Sequence, residues 1–157
     1  MMQESLKIGV ISDTHGYLDP QVYEIFRNVQ HIIHAGDLGT LDVLISLQAI
    51  APVTAVYGNM DGHDLRNRLR AVEQIVLAGH TVEVRHIQSA NSLLPKDEPM
   101  RIGIHGHTHK PEVRWLGRTL TLNPGSASRP SQGKRPSVMV LQLQADRDPN
   151  AMIVYLD

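Results

Sequence analysis

Three histidines fall within five residues in His105-Gly106-His107-Thr108-His109. Neutral imidazole is a metal ligand, and two imidazoles two apart in an extended segment project to the same side. No apolar periodicity accounts for this cluster, and no cysteine accompanies it. Metal ligation is therefore the chemistry to look for, and it requires ligands from elsewhere in the chain. Candidates recur at one kind of place, just past a short apolar run. Asp13-Thr14-His15 follows residues 6–12, Gly36-Asp37 follows 31–35, and Gly58-Asn59 follows 52–57. His86 closes the run beginning at Thr81, and His107 and His109 follow 100–104. Any one of these is ordinary, since Gly-Asp and Gly-Asn are common turn dipeptides. The ordered set is specific, because ligands of open α/β sheets bind beyond the carboxyl ends of strands.

The runs that would position these groups read as strands. Residues 6–12, 31–35 and 52–57 are short and apolar enough to be buried. Between the first two, Asp19-Pro20 has the form of a helix cap followed by proline in the first turn. Val22, Ile25, Phe26 and Val29 then continue at helical spacing. Thr40 stands as cap of a second helix, with Leu41, Leu44, Ile45 and Gln48 on one face. This alternation implies parallel strands with right-handed crossovers. Residues 61–70 are polar and read as irregular or a short helix. Hairpins follow, 72–77 with 81–86 around Ala78-Gly79-His80, and 112–116 with 118–122 about Gly117. Residues 88–99 are a connection with room for a short helix, 123–137 a loop, and 137–144 and 151–156 the last strands. The expected fold is α/β, with two mixed sheets face to face and helices outside.

A chain of 157 residues suits one domain, 1–157. Such a chain buries roughly 70% of its unfolded surface without staples. The net charge of −1 gives no pull toward nucleic acid or an anionic membrane. Absence of cysteine excludes disulfides and thiolate metal sites. No segment approaches the ~20 apolar residues of a membrane span, and the first residues carry no secretory pattern. A cytoplasmic protein is expected.

In order, Asp13-Thr14-His15, Gly36-Asp37, Gly58-Asn59, His86 and Gly106-His107-Thr108-His109 resemble the calcineurin-like metallophosphoesterase superfamily. The short chain, with Asn123-Pro124-Gly125-Ser126 after the histidine element, is similar to its small single-domain, YfcE-like phosphodiesterase branch. The resemblance implies a four-layer α/β/β/α sandwich with a binuclear centre. It implies that Asp37 bridges two metals, the first also taking Asp13, His15 and His109, the second Asn59, His86 and His107. Asp37, Asn59 and His107 would then be catalytic, with a hydroxide bridging the metals attacking phosphorus of a phosphodiester in line. A phosphomonoesterase and a non-catalytic interaction scaffold of the same fold are the alternatives. Mixed imidazole and oxygen ligands suit Mn²⁺, Fe, Zn²⁺, Co²⁺ or Ni²⁺ better than Mg²⁺ or Ca²⁺, and Mn²⁺ is the expected ion. Two such cations against Asp13, Asp37 and one hydroxide leave a charge of about +1, a receptor for a phosphate ester.

Two positions depart from the family pattern. Met60 stands where much of the superfamily has histidine, and a thioether cannot protonate a leaving group. Ile87 stands where glycine usually follows the ligand histidine. Strand-end geometry still favours His86 over His80, which begins its strand. His63 is expected to lean over the site, and Arg129 to attract phosphate esters from a basic loop. His34 reads as buried and hydrogen-bonded, His105 as supporting the site without binding metal, and His31 and His80 as surface residues. Trp115, on an exposed hairpin, is a candidate contact for a homo-oligomer.

Overall fold

β1 (Ser5–Ile11) is apolar on both faces because it lies between two cores. This is seen in a computed structural model, which describes residues 5–88, 101–130 and 133–157. Ile8 and Val10 enter a core shared by two sheets, while Ile11 faces a second core beneath the helices. Phe26 lies flat over Gly9, where a Cβ would come within 2.9 Å of its ring.

From β1 the chain runs through α1 (Gln21–Ile25), β2 (His31–His34), α2 (Leu41–Gln48), β3 (Val53–Ala55) and α3 (His63–Arg68). β1, β2 and β3 pair in parallel, as the alternation of elements predicts. The second sheet follows as β4 (Val72–Leu77), β5 (His80–Arg85), β6 (Arg101–Ile104), β7 (Glu112–Leu116) and β8 (Thr119–Asn123). β9 (Ser137–Gln144) and β10 (Asn150–Tyr155) then return to the first sheet. The strand orders are β10-β9-β1-β2-β3 and β4-β5-β6-β8-β7, so both five-stranded sheets are mixed. β5, β6 and β8 are mutually parallel.

Between the sheets, Ile8, Val10 and Ile33 of the first meet Val82, Ile102 and Leu122 of the second, all fully buried. Each such side chain contributes roughly 1.5–3 kcal/mol. On the outer face of the first sheet, Val22 of α1 and Val43 and Leu47 of α2 share a core with Ile11 and Ile32. Leu65 of α3 joins Leu44 and Ala55. Among the described residues all three helices lie on this side. The helix allowed for within 88–99 falls, from residue 89, outside the described residues. Among the described residues no helix is long and apolar enough to cross a membrane.

Several local expectations are corrected. The first helix stops at Ile25, although Phe26 and Val29 remain buried. The chain must turn back there, and the Gln30 N–H already bonds the Lys7 carbonyl. Asp19 does cap the first turn, accepting the Gln21 N–H at 2.9 Å, whereas Thr40 sits at the second cap without a side-chain bond. β3 is shorter than 52–57 and continues only as a bridge from Val56 to Arg70. The β4–β5 turn is Ala78-Gly79 alone, both with positive φ, as a two-residue hairpin of this kind requires. His80 is therefore a strand residue and not a surface one: it is buried, with Nε2 3.0 Å from the Gln144 carbonyl. His31 is likewise half-buried, against Thr54 Oγ1 at 2.8 Å.

Candidate metal centre

The parallel strands of each sheet end on one edge, and the two edges meet along a seam. Two glycines make the approach possible, one from each side. A Cβ on Gly36, after β2, would stand 2.7 Å from His86 Nδ1 of the second sheet. A Cβ on Gly106, after β6, would collide with Ser12 Oγ and stand 2.7 Å from Asp13 Oδ2 of the first. Any larger residue at either position would push the edges apart.

Two buried carboxylates sit in this seam, each with one oxygen committed. Asp13 Oδ2 accepts the Ser12 hydroxyl at 2.7 Å and the His107 N–H at 3.1 Å. Its other oxygen, Oδ1, has no hydrogen-bond partner and faces His109 Nε2 at 3.2 Å and His15 Nε2 at 3.7 Å. Asp37 Oδ1 accepts the Met60 N–H at 2.8 Å, and Oδ2 faces His86 Nε2 at 3.1 Å and His15 Nε2 at 4.0 Å. Burial alone would raise the Asp37 pKa, but His86 and the Met60 N–H outweigh it and hold the carboxyl below its usual value.

The imidazoles are oriented from behind. His86 Nδ1 donates to the Ala35 carbonyl at 2.8 Å, which fixes the tautomer and turns the Nε2 lone pair toward the carboxylates. Burial lowers the His86 pKa, yet Asp37, Asp13 and the Ala35 carbonyl together leave it raised. His15 is lowered, by burial first, then by the charges of Arg129 and His109 against the opposing pull of both aspartates. The ring of His107 stands edge-on to His86 at 5.2 Å, and that of His109 is 5.4 Å from His15. Thus the strand-end histidines gather as two pairs. His80, the rival of His86, lies at the opposite end of β5.

The ligand atoms of Asp13, His15 and His109 lie within 4.8 Å of one another, as do those of Asp13, Asp37 and His86. Asp13 Oδ1, His15 Nε2 and His86 Nε2 are buried and without hydrogen-bond partners among the described residues. Orphaned polar atoms are costly singly, and three aimed at one point form a donor set that a cation would satisfy. His107 and Asn59 stand at the exposed lip, outside these two groups. Arg129 is exposed beside the site, close enough to act on His15. His63 begins α3 and lines an open cavity of about 340 Å³ with Gly39, Thr40 and Gly62. His34 is fully buried and held neutral, its pKa lowered to about 3 chiefly by burial. Its Nδ1 accepts the Gly36 N–H, so Nε2 donates to Thr14 Oγ1, whose hydroxyl bonds the Leu38 carbonyl. His105 is also buried, its Nδ1 near Asn123.

Sequence reasoning missed the supports. Asp61 is buried and accepts four backbone N–H groups, from Asp37, Leu38, Gly39 and Gly58. Asn123 donates to the Gly106 carbonyl and to Thr108 Oγ1, holding the histidine loop. The hydroxyls of Ser126 and Ser128 both bond the Asp13 carbonyl. The backbone itself marks the site. Among the described residues seven non-glycine residues have positive φ, and five of them are Asp13, His15, Asp37, His107 and His109. Such strain clusters where geometry is dictated by function.

The chain is similar to known proteins. The family described as the calcineurin-like phosphoesterase superfamily domain matches residues 6–146. A protein of Methanothermobacter thermautotrophicus named as a probable metallophosphoesterase is 37% identical over 158 residues, covering 89% of this chain and 87% of its own. A phosphodiesterase of Methanocaldococcus jannaschii is 33% identical over 138 residues, covering 76% of this chain and 83% of its own. The solved structure of an archaeal phosphodiesterase superposes with a TM-score of 0.74 at 24% identity, covering 95% of this chain and all of that one, which is a likeness of fold.

Proposed function

Because the chain belongs to the calcineurin-like phosphoesterase superfamily, we propose that it is a divalent-metal-dependent phosphodiesterase. The observation that carries this reading is the orphaned donor set: Asp13 Oδ1, His15 Nε2 and His86 Nε2, buried and aimed together. A scaffold that had abandoned catalysis would have no use for three unsatisfied polar atoms and five strained ligand positions.

Asp13, His15, Asp37 and His109 would hold one ion, and Asp37, Asn59, His86 and His107 the other, with Mn²⁺ the favoured metal. Such ions supply an activated water at neutral pH and neutralise charge on the phosphoryl oxygens. Asp37 would be held by both ions, and the Met60 N–H bonded to its Oδ1 would orient the carboxylate toward them. Arg129 adds positive charge at the rim and draws the ester in. Met60 is 67% exposed beside Asn59 and cannot give a proton to the departing oxygen. The enzyme therefore favours esters whose alcohol departs unaided. The relative named as a phosphodiesterase supports diesters as the substrate class.

The test is release of nitrophenol from bis(p-nitrophenyl) phosphate by metal-depleted protein, with and without Mn²⁺, Co²⁺ or Zn²⁺. Turnover should require added metal, and no hydrolysis by the folded protein with any of these ions would sink the proposal. Aryl diesters should be cleaved at least about tenfold faster than alkyl diesters at saturation, the scale of a missing general acid. Equal rates would show that Met60 does not matter.

A further inference from the structure

The 58–60 loop, which carries Asn59, is gripped from two sides by opposite charges. On the inner side, Asp61 Oδ2 accepts the N–H groups of Gly58 at 2.9 Å, Asp37 at 3.0 Å and Leu38 at 3.3 Å, and Oδ1 that of Gly39 at 2.9 Å. One carboxylate thus ties the loop after β3 to the loop after β2. On the outer side, Arg66 Nε donates to the Asp61 carbonyl at 2.7 Å, and Nη2 to the Gly58 and Asn59 carbonyls at 3.4 and 3.3 Å. Its guanidinium is set by the Tyr57 ring, 4.6 Å below. The fork geometry of arginine suits three acceptors on one loop, and hydrogen bonds to charged groups are the strong ones.

We propose that Asp61 and Arg66 are positioning residues, a two-sided brace in which Arg66 sets the affinity of one metal position and Asp61 that of both. This rests on the metal assignment proposed above. The braced loop contributes Asn59 and the Met60 N–H that orients Asp37. Asp61 reaches the other ion too, because it holds the N–H groups of Asp37 and Leu38, whose carbonyls accept those of His15 and Gly16, whereas Arg66 touches only the carbonyls of Gly58, Asn59 and Asp61. Loosening the brace at Arg66 therefore weakens chiefly the ion at Asn59, His86 and His107, and loosening it at Asp61 weakens both.

The experiment is a Mn²⁺ titration of the metal-depleted full chain by calorimetry, with electron paramagnetic resonance to distinguish an isolated Mn²⁺ from a coupled pair. Wild type should take up two ions. Asp61→Asn puts an amide donor against a backbone donor and should weaken both binding steps about 10- to 100-fold, the usual scale for a residue supporting a metal ligand. Arg66→Gln lies on the surface and keeps the idea testable if Asp61→Asn does not fold. It should weaken one step about tenfold and the other by less than about threefold, so that the isolated-ion spectrum persists at metal levels that give the coupled pair in wild type, with kcat recovering at high Mn²⁺ and KM unchanged. Equal weakening of both steps by Arg66→Gln, or unaltered binding in the folded variant, overturns the brace alone. A wild-type chain that binds no Mn²⁺ overturns the metal assignment and the brace with it.

Discussion

The two sheets bring chemically different halves to one site. Loops of the first supply both carboxylates and Asn59, with a single imidazole, His15. Loops of the second supply only imidazoles, His86, His107 and His109. The difference follows from what each group costs to bury. An ionised carboxylate in a closed site needs several donors, and the first-sheet loops provide them in the Met60 N–H and the Ser12 hydroxyl. A neutral imidazole needs one acceptor behind it, as His86 has in the Ala35 carbonyl. Each half is also completed by the other. The donor on Asp13 Oδ2 from His107 belongs to the second sheet, and the acceptor for His86 belongs to the first. Neither half is a site alone.

The sharpest way to break this comparison is at Asp37, the anion proposed to be shared by two ions. Asp37→Asn keeps the shape and removes the charge. Both Mn²⁺ binding steps should weaken together, and kcat/KM should fall on the order of a thousandfold, a loss measurable by calorimetry and nitrophenol release. Loss of one step only would mean that Asp37 is not shared. The imidazole half should behave oppositely. His107→Ala and His109→Ala should each weaken one step about 10- to 100-fold and leave the other in place, read from the same titration.

Acidification separates the halves without mutation. In the metal-free chain the His86 pKa is raised, so acidification below that value puts a proton on Nε2, the atom proposed to bind metal. Mn²⁺ affinity should be full above that raised value and fall about tenfold per pH unit below it, as one proton is displaced. Calorimetry at pH 8, 7 and 6 checks this, and a flat profile refutes it. For folding of the metal-free chain the sign is reversed. The raised His86 contributes stability that is fully present below its unfolded pKa near 6.5 and lost as pH rises through the folded value. The smallest effect is expected at the rim. Arg129→Glu should lower kcat/KM only about three- to tenfold and flatten its dependence on salt, since the contact is exposed and screened.

The strand-end ligands were legible because each apolar run stops abruptly at a glycine or a polar residue, and the first three runs alternate with helices. What stayed hidden depends on partners distant in sequence or without sequence signature. Asp61 looks like part of an ordinary Asn-Met-Asp-Gly turn, and its four partners are backbone N–H groups, which every residue but proline has. His80 looked exposed because its partner is the Gln144 carbonyl, sixty-four residues away. The first helix was read too long because Phe26 and Val29 keep their apolar spacing after the helical hydrogen bonding has ended, one ring covering Gly9. Burial and helicity usually travel together, and here they part.

The left-handed backbone at Asp13, His15, Asp37, His107 and His109 sets stability and activity against each other. For residues with a Cβ this conformation costs roughly 1–2 kcal/mol each, and the cost remains whether or not a cation is bound. Glycine at His15, His107 or His109 would relieve it and remove a ligand in the same substitution. The most thermostable form of this fold is therefore not the most active one. A screen for melting temperature alone, run without metal, would select against the chemistry.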